Sequence, residues 1–348
     1  MDEVSLLTGL LKKYSPTGQE QGAVDYLVDW MNQAGYRAFA DPAGNAVGIR
    51  GDGPRSVMLL GHIDTVPGYI EVERKEDVLF GRGAVDAKGP LASFAAAGSR
   101  VEVPPGWQVI VVGATAEEGD SHGAMYIRDH YHPEAVIIGE PSKWDRITLG
   151  FKGSMWVRYE VEVPMAHTAS NLASACELAV AFWNASAGWC AEQTPGDVSA
   201  FNQLTPTLRE MTSETTGFLQ KAALRIGVRL PPGIGSGAVM AAMEERRGNG
   251  RLTFEEPVEA YRADKNTDLV RAFLNGVRQA GGKPSFSVKT GTSDMNIVAP
   301  AWNVPSVAYG PGDSAFDHTP EEQTSVAEYR LGVQVLANTL AHLMAHSQ

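Results

Sequence analysis

Val57-Met-Leu-Leu-Gly-His62-Ile-Asp64-Thr-Val-Pro67 is the stretch whose reading decides the fold. Consecutive apolar residues without alternation describe a strand buried on both faces, as in a parallel sheet. Pro67-Gly68 forbids the strand from continuing. Just before that stop stand an imidazole, one spacer and a carboxylate. In extended backbone the side chains of His62 and Asp64 leave the same side. A metal-bound histidine usually has its second nitrogen held by a carboxylate, so Asp64 is a candidate orienting partner for a His62 ligand. A turn aspartate beside an incidental histidine is the alternative.

Working outward, further apolar runs end in the same way. Val109-Ile-Val-Val112 leads to Glu117-Glu118, Ala135-Val-Ile-Ile138 leads to Glu140-Pro141, and Val304-Pro-Ser-Val-Ala308 leads to Asp313 and His318. Asp77-Val-Leu-Phe80 opens into Gly81-Arg-Gly-Ala-Val-Asp86, and a helical stretch follows from Lys88. Open α/β sheets bind ligands outside the carboxyl ends of their strands. Solvation alone does not explain histidines and carboxylates at so many such exits.

Each motif has a plainer reading. Gly81 to Asp86 resembles a phosphate-cradling turn, yet Asp86 replaces the third glycine and puts a negative charge where phosphate belongs. Asp86 could also cap the helix after it. Glu117-Glu118 could stabilise a helix first turn, and Glu140 could be an ordinary turn residue. His122, His130, His132, His342 and His346 are read as structural or solvent-facing, because no apolar strand delivers them to the sheet edge.

At 348 residues, with 43% hydrophobic and 20% charged content, the chain has the composition of a soluble globular protein and a length that suits two domains. A net charge of −12 argues against nucleic acid as partner. No secretory signal and no membrane-spanning run is visible, and a cytoplasmic location is expected. Cys176 and Cys190 fall in one helical stretch, roughly 21 Å apart along its axis. They are therefore expected to be free thiols in a reducing compartment.

In chain order, residues 2–14 form a first helix and Thr17-Gly-Gln-Glu20 fits a capping box for the next, which ends near Gly35. Short strands follow near 36–40 and 45–50. From about residue 152 the pattern changes, and Ser154 to Val163 alternates like a half-exposed strand. A helix (170–190), alternating segments near 203–211 and 221–230, a helix (236–247) and a strand (251–261) complete a βαββαβ order. That order describes an antiparallel sheet with both helices on one side. The expected organisation is an α/β catalytic domain with a mostly parallel central sheet flanked by helices, in two parts (1–150 and 265–348). An inserted α+β lid/dimerisation domain (151–264) interrupts it.

Oxygen and nitrogen donors without sulfur suit zinc, with cobalt or manganese as substitutes. A carboxylate shared by two such ions would hold them about 3.5–4 Å apart, the spacing of two-metal hydrolases. A further carboxylate must then act as base, and two adjacent glutamates can divide ligation and proton transfer between them.

Taken together, His62-x-Asp64, Gly83-Ala-Val-Asp86-Ala-Lys-Gly, Glu117-Glu118-Gly, Gly139-Glu140-Pro-Ser and His318 resemble the di-zinc amidohydrolase/exopeptidase family. Acetylornithine deacetylase, succinyl-diaminopimelate desuccinylase and carboxypeptidase G belong to it. The resemblance covers essentially the whole chain and implies a zinc-peptidase-like catalytic domain. It implies that Asp86 bridges two metals, with His62 and Glu140 on one and Glu118 and His318 on the other. Asp64 would orient His62, Glu117 would be the general base, and Asp86–Ala87 would be a cis peptide. His167 stands where the family has a lid histidine that stabilises the oxyanion, supplied in dimers by the partner subunit. The match is looser there, because Pro164-Met165-Ala166 replaces glycines. Arg229 is similar to an arginine that holds the substrate carboxylate, and Thr292 and Ser293 lie in a loop resembling one that lines the substrate pocket. The plain readings are a surface histidine for His167 and an exposed strand arginine for Arg229.

Tyr309-Gly-Pro-Gly-Asp-Ser-Ala-Phe-Asp-His318-Thr-Pro-Glu-Glu looks most like one branch of that family. Its members release lysine or ornithine from the C-terminal glutamate of an amino-group carrier protein, in lysine and arginine biosynthesis. An acidic carrier implies a basic rim, for which Lys143, Lys152, Arg158 and Lys289 are candidates. Within the family, deacetylation of N-acetylornithine or N-acetyllysine, desuccinylation and dipeptide hydrolysis are the alternatives. A non-catalytic binding module is a further one, and the presence of every ligand plus Glu117 argues against it. A homodimer through the lid is expected.

Overall fold

The computed structural model describes residues 2–167, 169–194 and 196–346. The chain forms two compact units, one of Met1–Gly150, Ala263–Val288 and Ser293–Gln348, the other of Phe151–Arg262 and Lys289–Thr292.

In the first unit the apolar runs become the centre of a mixed sheet. Trp107–Ala114, Arg55–His62, Ala135–Gly139 and Ser306–Ala308 lie side by side and parallel. Ala46–Gly51 joins antiparallel beyond Trp107–Ala114, Arg37–Ala40 beyond that, and Arg146–Phe151 joins antiparallel at the other flank. Val57, Met58, Leu59 and Leu60 are wholly buried, as expected of a strand covered on both faces. The covering helices include Glu3–Leu11, Gln21–Gln33, Lys88–Arg100, Asp268–Gln279 and Val326–His346, whose apolar residues join one core.

A row of glycines sets how the strand ends meet the Lys88–Arg100 helix. Gly61 lies opposite Gly113 on one side and Gly139 on the other. A Cβ on Gly139 would sit 2.9 Å from Gly61 Cα and 3.0 Å from a Phe94 ring carbon. Only glycine permits that approach. Immediately after this row the chain presents His62, the loop to Glu117-Glu118, and Glu140.

One local expectation is corrected and one plainer alternative is removed. Thr17 and Glu20 do not form a capping box: Glu20 is itself the N-cap of Gln21–Gln33, without a side-chain capping bond. Glu20 accepts from Gly18 N–H at 2.9 Å, and the Thr17 hydroxyl donates instead to Asp64 Oδ2 at 2.8 Å. Nor does a helix begin at Glu117-Glu118, since it starts at His122.

The second unit is a four-stranded antiparallel sheet ordered Thr205–Thr216, Leu219–Leu230, Gly153–Pro164, Arg251–Phe254. Alternate residues Met155, Val157, Tyr159 and Val161 join a core with Ala179 and Phe182 of the helix Ala175–Gln193 and Val239 and Met243 of Ser236–Arg246. Ser174 and Glu177 supply a capping box for the longer helix. Cys176 and Cys190 both lie on that helix as free thiols.

Candidate metal centre

The parallel strands end on one edge, so residues far apart in sequence converge in the first unit. His62 closes its strand with the imidazole buried. Its Nδ1 is 3.0 Å from the Asp64 carbonyl oxygen and 3.5 Å from Asp64 Oδ1, and its Nε2 is 3.1 Å from Asp86 Oδ1. His318 Nε2 approaches the other oxygen, Asp86 Oδ2, at 3.0 Å, and Glu118 Oε1 at 2.9 Å. Asp86 thus turns one carboxylate oxygen toward each histidine. Ligand atoms of Asp86, Glu118 and His318 fall within 4.8 Å of one another, as do those of His62, Glu117 and Glu118. Neither trio includes Glu140, which is buried just beyond the Ala135–Gly139 strand.

Asp64 does more than face His62. Its wholly buried carboxylate accepts from the Thr17 hydroxyl, from Glu117 N–H at 3.1 Å and from Glu118 N–H at 3.1 Å. One side chain therefore anchors the loop that carries both glutamates. Charge-assisted bonds to backbone amides are well suited to that task.

Electrostatics agree with a site built for cations. Burial drives the Glu117 carboxyl well above its ordinary pKa, and Glu140, Asp294 and Glu118 add repulsion that His62 only partly offsets. Burial likewise pushes Asp294 up to about 7. Burial opposes a charge on Asp86, but hydrogen bonds from His318 and His62 outweigh it and hold the carboxyl well below the usual range. His318 is raised to about 10 by its bonds to Asp86 and Glu118. A carboxylate-rich group largely withdrawn from water needs compensating positive charge, and imidazole with carboxylate donors fits zinc or a similar divalent ion.

Several residues at this centre escaped the sequence reading. Asp294 is buried, and its Oδ1 has no hydrogen-bond partner among the described residues. Lys88, wholly buried, donates from Nζ to the Lys13 carbonyl at 2.7 Å, and burial lowers its pKa to about 7. Glu322 Oε1 accepts from Val85 N–H and Asp86 N–H, both at 2.9 Å. Those amides are the ones a phosphate would need at the Gly81–Asp86 turn, so a carboxylate already occupies the nucleotide alternative. The Asp86–Ala87 peptide is cis.

His167, Arg229 and Thr292 belong to the second unit. His167 is exposed, with Nδ1 accepting from Ala169 N–H at 3.1 Å. Arg229 donates from Nη1 to the Thr292 hydroxyl at 2.5 Å. Ser293 belongs to the first unit, where it is buried and its Oγ accepts from Met295 N–H at 3.3 Å. One of the expected rim residues, Lys152, is corrected. Lys152 is buried and donates to the Ala200 and Gln203 carbonyls and the Thr205 hydroxyl. Lys143 pairs with Asp313 at 2.9 Å and Arg158 with Glu160 at 2.9 Å.

Comparison with known proteins gives a consistent result. A family model described as Peptidase family M20/M25/M40 matches residues 58–342. A Deinococcus radiodurans protein named LysW-lysine hydrolase is 44% identical over 339 residues, covering 95% of this chain and 94% of the relative. The M20 family metallo-carboxypeptidase Sso-CP2 from Sulfolobus solfataricus superposes with a TM-score of 0.80 at 16% identity, over 99% of this chain and 100% of that one. The Bacillus subtilis YXEP protein, described as a dinuclear metal binding peptidase, superposes with a TM-score of 0.73 at 12% identity, over 99% and 98%.

Proposed function

Because the chain belongs to peptidase family M20/M25/M40, we propose that it is a metal-dependent amide hydrolase that frees lysine, or ornithine, from the C-terminal glutamate of an amino-group carrier protein. The observation that carries hydrolysis is the convergence of His62, Asp86, Glu118 and His318 beside a separate half-buried glutamate, Glu117. The carrier-linked substrate is supported by the relative named for LysW-lysine, which matches nearly the full length of both chains.

In this reading His62 and Glu140 on one side and Glu118 and His318 on the other, with Asp86 shared between them, would hold two divalent ions, zinc in the first instance. Cobalt or manganese can replace zinc. When bound, such ions would supply acidification of a water and polarisation of the amide carbonyl. Asp64 keeps His62 in one orientation and the Glu117-Glu118 loop in place. Glu117 takes the proton of the attacking water as its oxygen bonds to the carbonyl carbon. It returns that proton to the nitrogen as the C–N bond breaks, and the second water proton follows, leaving a carboxylate on the carrier and an ammonium group on the released amino acid. His167, from a second copy in a homodimer paired through the second unit acting as lid, stabilises the oxyanion. Arg229 holds the substrate carboxylate, and Thr292 and Ser293 line its pocket. The enzyme works in the cytoplasm, without membrane or nucleic acid; among the described residues no helix is long and apolar enough to cross a membrane.

The test is an assay of metal-loaded protein on carrier-lysine, carrier-ornithine, N-acetyllysine, N-acetylornithine and succinyl-diaminopimelate. Preferred turnover of a carrier conjugate is the expected result. Turnover of N-acetylornithine alone overturns the carrier assignment and leaves a small-molecule deacetylase.

A further inference from the structure

The segment that carries His318 returns to grip the turn that carries Asp86. Gln323–Ser325 pairs antiparallel with Val78–Phe80, with Gln323 opposite Phe80. Gly81 N–H donates to the Glu322 carbonyl at 3.3 Å. The Glu322 side chain, 1% exposed, then divides its two oxygens. Oε1 accepts the consecutive amides of Val85 and Asp86, and Oε2 accepts Arg82 Nη1 at 2.8 Å. Arg82 is similarly enclosed and donates from Nε to the Gly68 carbonyl at 2.9 Å, a few residues beyond Asp64.

We propose that Glu322, braced by Arg82, is a positioning residue that fixes the distance between the Asp86 carboxylate and His318 and so allows two cations to be held together. The inference rests on the metal reading above. Its reason is geometric. Two adjacent N–H groups directed at one oxygen fix the peptide planes on both sides of Val85, and with them the direction in which the Asp86 side chain leaves the backbone. His318 precedes Glu322 by only four residues. The same short segment therefore supplies one ligand and holds the backbone of the bridge. Stability alone is a poor reason for such a pair, because a buried Arg–Glu bridge returns little more than its desolvation cost. Partners behind metal ligands, in contrast, change affinity or activity by about 10–100-fold when altered.

Glu322→Gln separates these roles. Its single carbonyl oxygen cannot serve both the Val85/Asp86 amides and Arg82. In Arg82→Gln/Glu322→Gln the two side-chain amides can bond to each other, with the side-chain oxygen at position 322 again facing Val85 and Asp86. Full-length protein is stripped with chelator and titrated with Co(II), following stoichiometry by dialysis and the visible absorption spectrum, with the melting temperature of the stripped protein as control. Wild type is expected to bind two ions. Glu322→Gln is expected to bind the second about 10–100-fold more weakly with an altered spectrum, and the double variant is expected to recover both. The inference is overturned if Glu322→Gln binds two ions with wild-type affinity and spectrum. It is equally overturned if both ions weaken together with the stripped protein's melting temperature and the double variant recovers neither. A wild type that binds no pair of ions removes the metal reading itself, an outcome distinct from these.

Discussion

The two units use charge in opposite ways. In the first, His62, Asp64, Glu140, Asp294 and Glu322 are removed from water and crowded around one edge of the sheet. On the open face of the second unit's sheet, Arg158, Lys221 and Arg225 meet Glu160, Glu162, Glu210 and Glu255 at 2.9–3.7 Å with much of each side chain exposed. Arg225 also stacks over the Trp156 ring, 4.5 Å from its centroid. Both sets are ionisable, but water screens the second set and not the first. Exposed pairs are therefore exchangeable decoration, whereas each buried group has a fixed partner or a displaced pKa.

Glu117→Gln tests the contrast where the effect should be greatest. We expect kcat to fall by about 10²–10⁴-fold while elemental analysis shows unchanged metal content; full activity in the variant would remove the base assignment. In the second unit the comparable loss should come from packing. Phe182 stacks on Tyr159 with centroids 4.0 Å apart, and Phe182→Ala should cost about 3–5 kcal/mol. Urea unfolding measures this, and Co(II) binding by the folded protein should not change.

The pH response sharpens the comparison next. His318 must lose its proton to become a ligand, and in the metal-free protein that proton is held up to about 10 by Asp86 and Glu118. Metal affinity should therefore weaken as pH falls, by up to about tenfold per unit from this group, in competition titrations between about pH 6 and 8. The sign for the stripped protein is opposite. A raised histidine pKa stabilises the fold fully below about 6.5, and that contribution fades as pH rises toward about 10. The smallest effect belongs to the open sheet. Lys221→Ala breaks the 3.2 Å pair with Glu162 and should shift stability by less than about 1 kcal/mol. A larger loss would show that this face is not simply solvated.

Legibility followed distance along the chain. The βαββαβ order and the strand-end histidines and carboxylates were readable, because hydrophobic period and turn residues are local signals. Lys152 was misread as a rim cation, since nothing near it in sequence announces the carbonyls of Ala200 and Gln203 that receive its ammonium. Thr17 looked like a helix cap for the same reason, its true acceptor being Asp64. Asp294 has no role legible in the sequence, and only its burial and its raised carboxyl pKa distinguish it.

By itself, the sequence determined which strands are buried on both faces, where they stop, and which donor types stand at their exits. Local sterics and hydrophobicity suffice for that. Tertiary structure alone decided that Asp86 turns one oxygen to His62 and the other to His318, that Glu117 groups with His62 and Glu118, and that Glu322 Oε1 accepts the Asp86 amide. The bonds of Glu322 to Arg82 and to the Asp86 amide join segments more than two hundred residues apart. Whether such groups are buried or wet, and hence charged or neutral, is settled only when the segments meet.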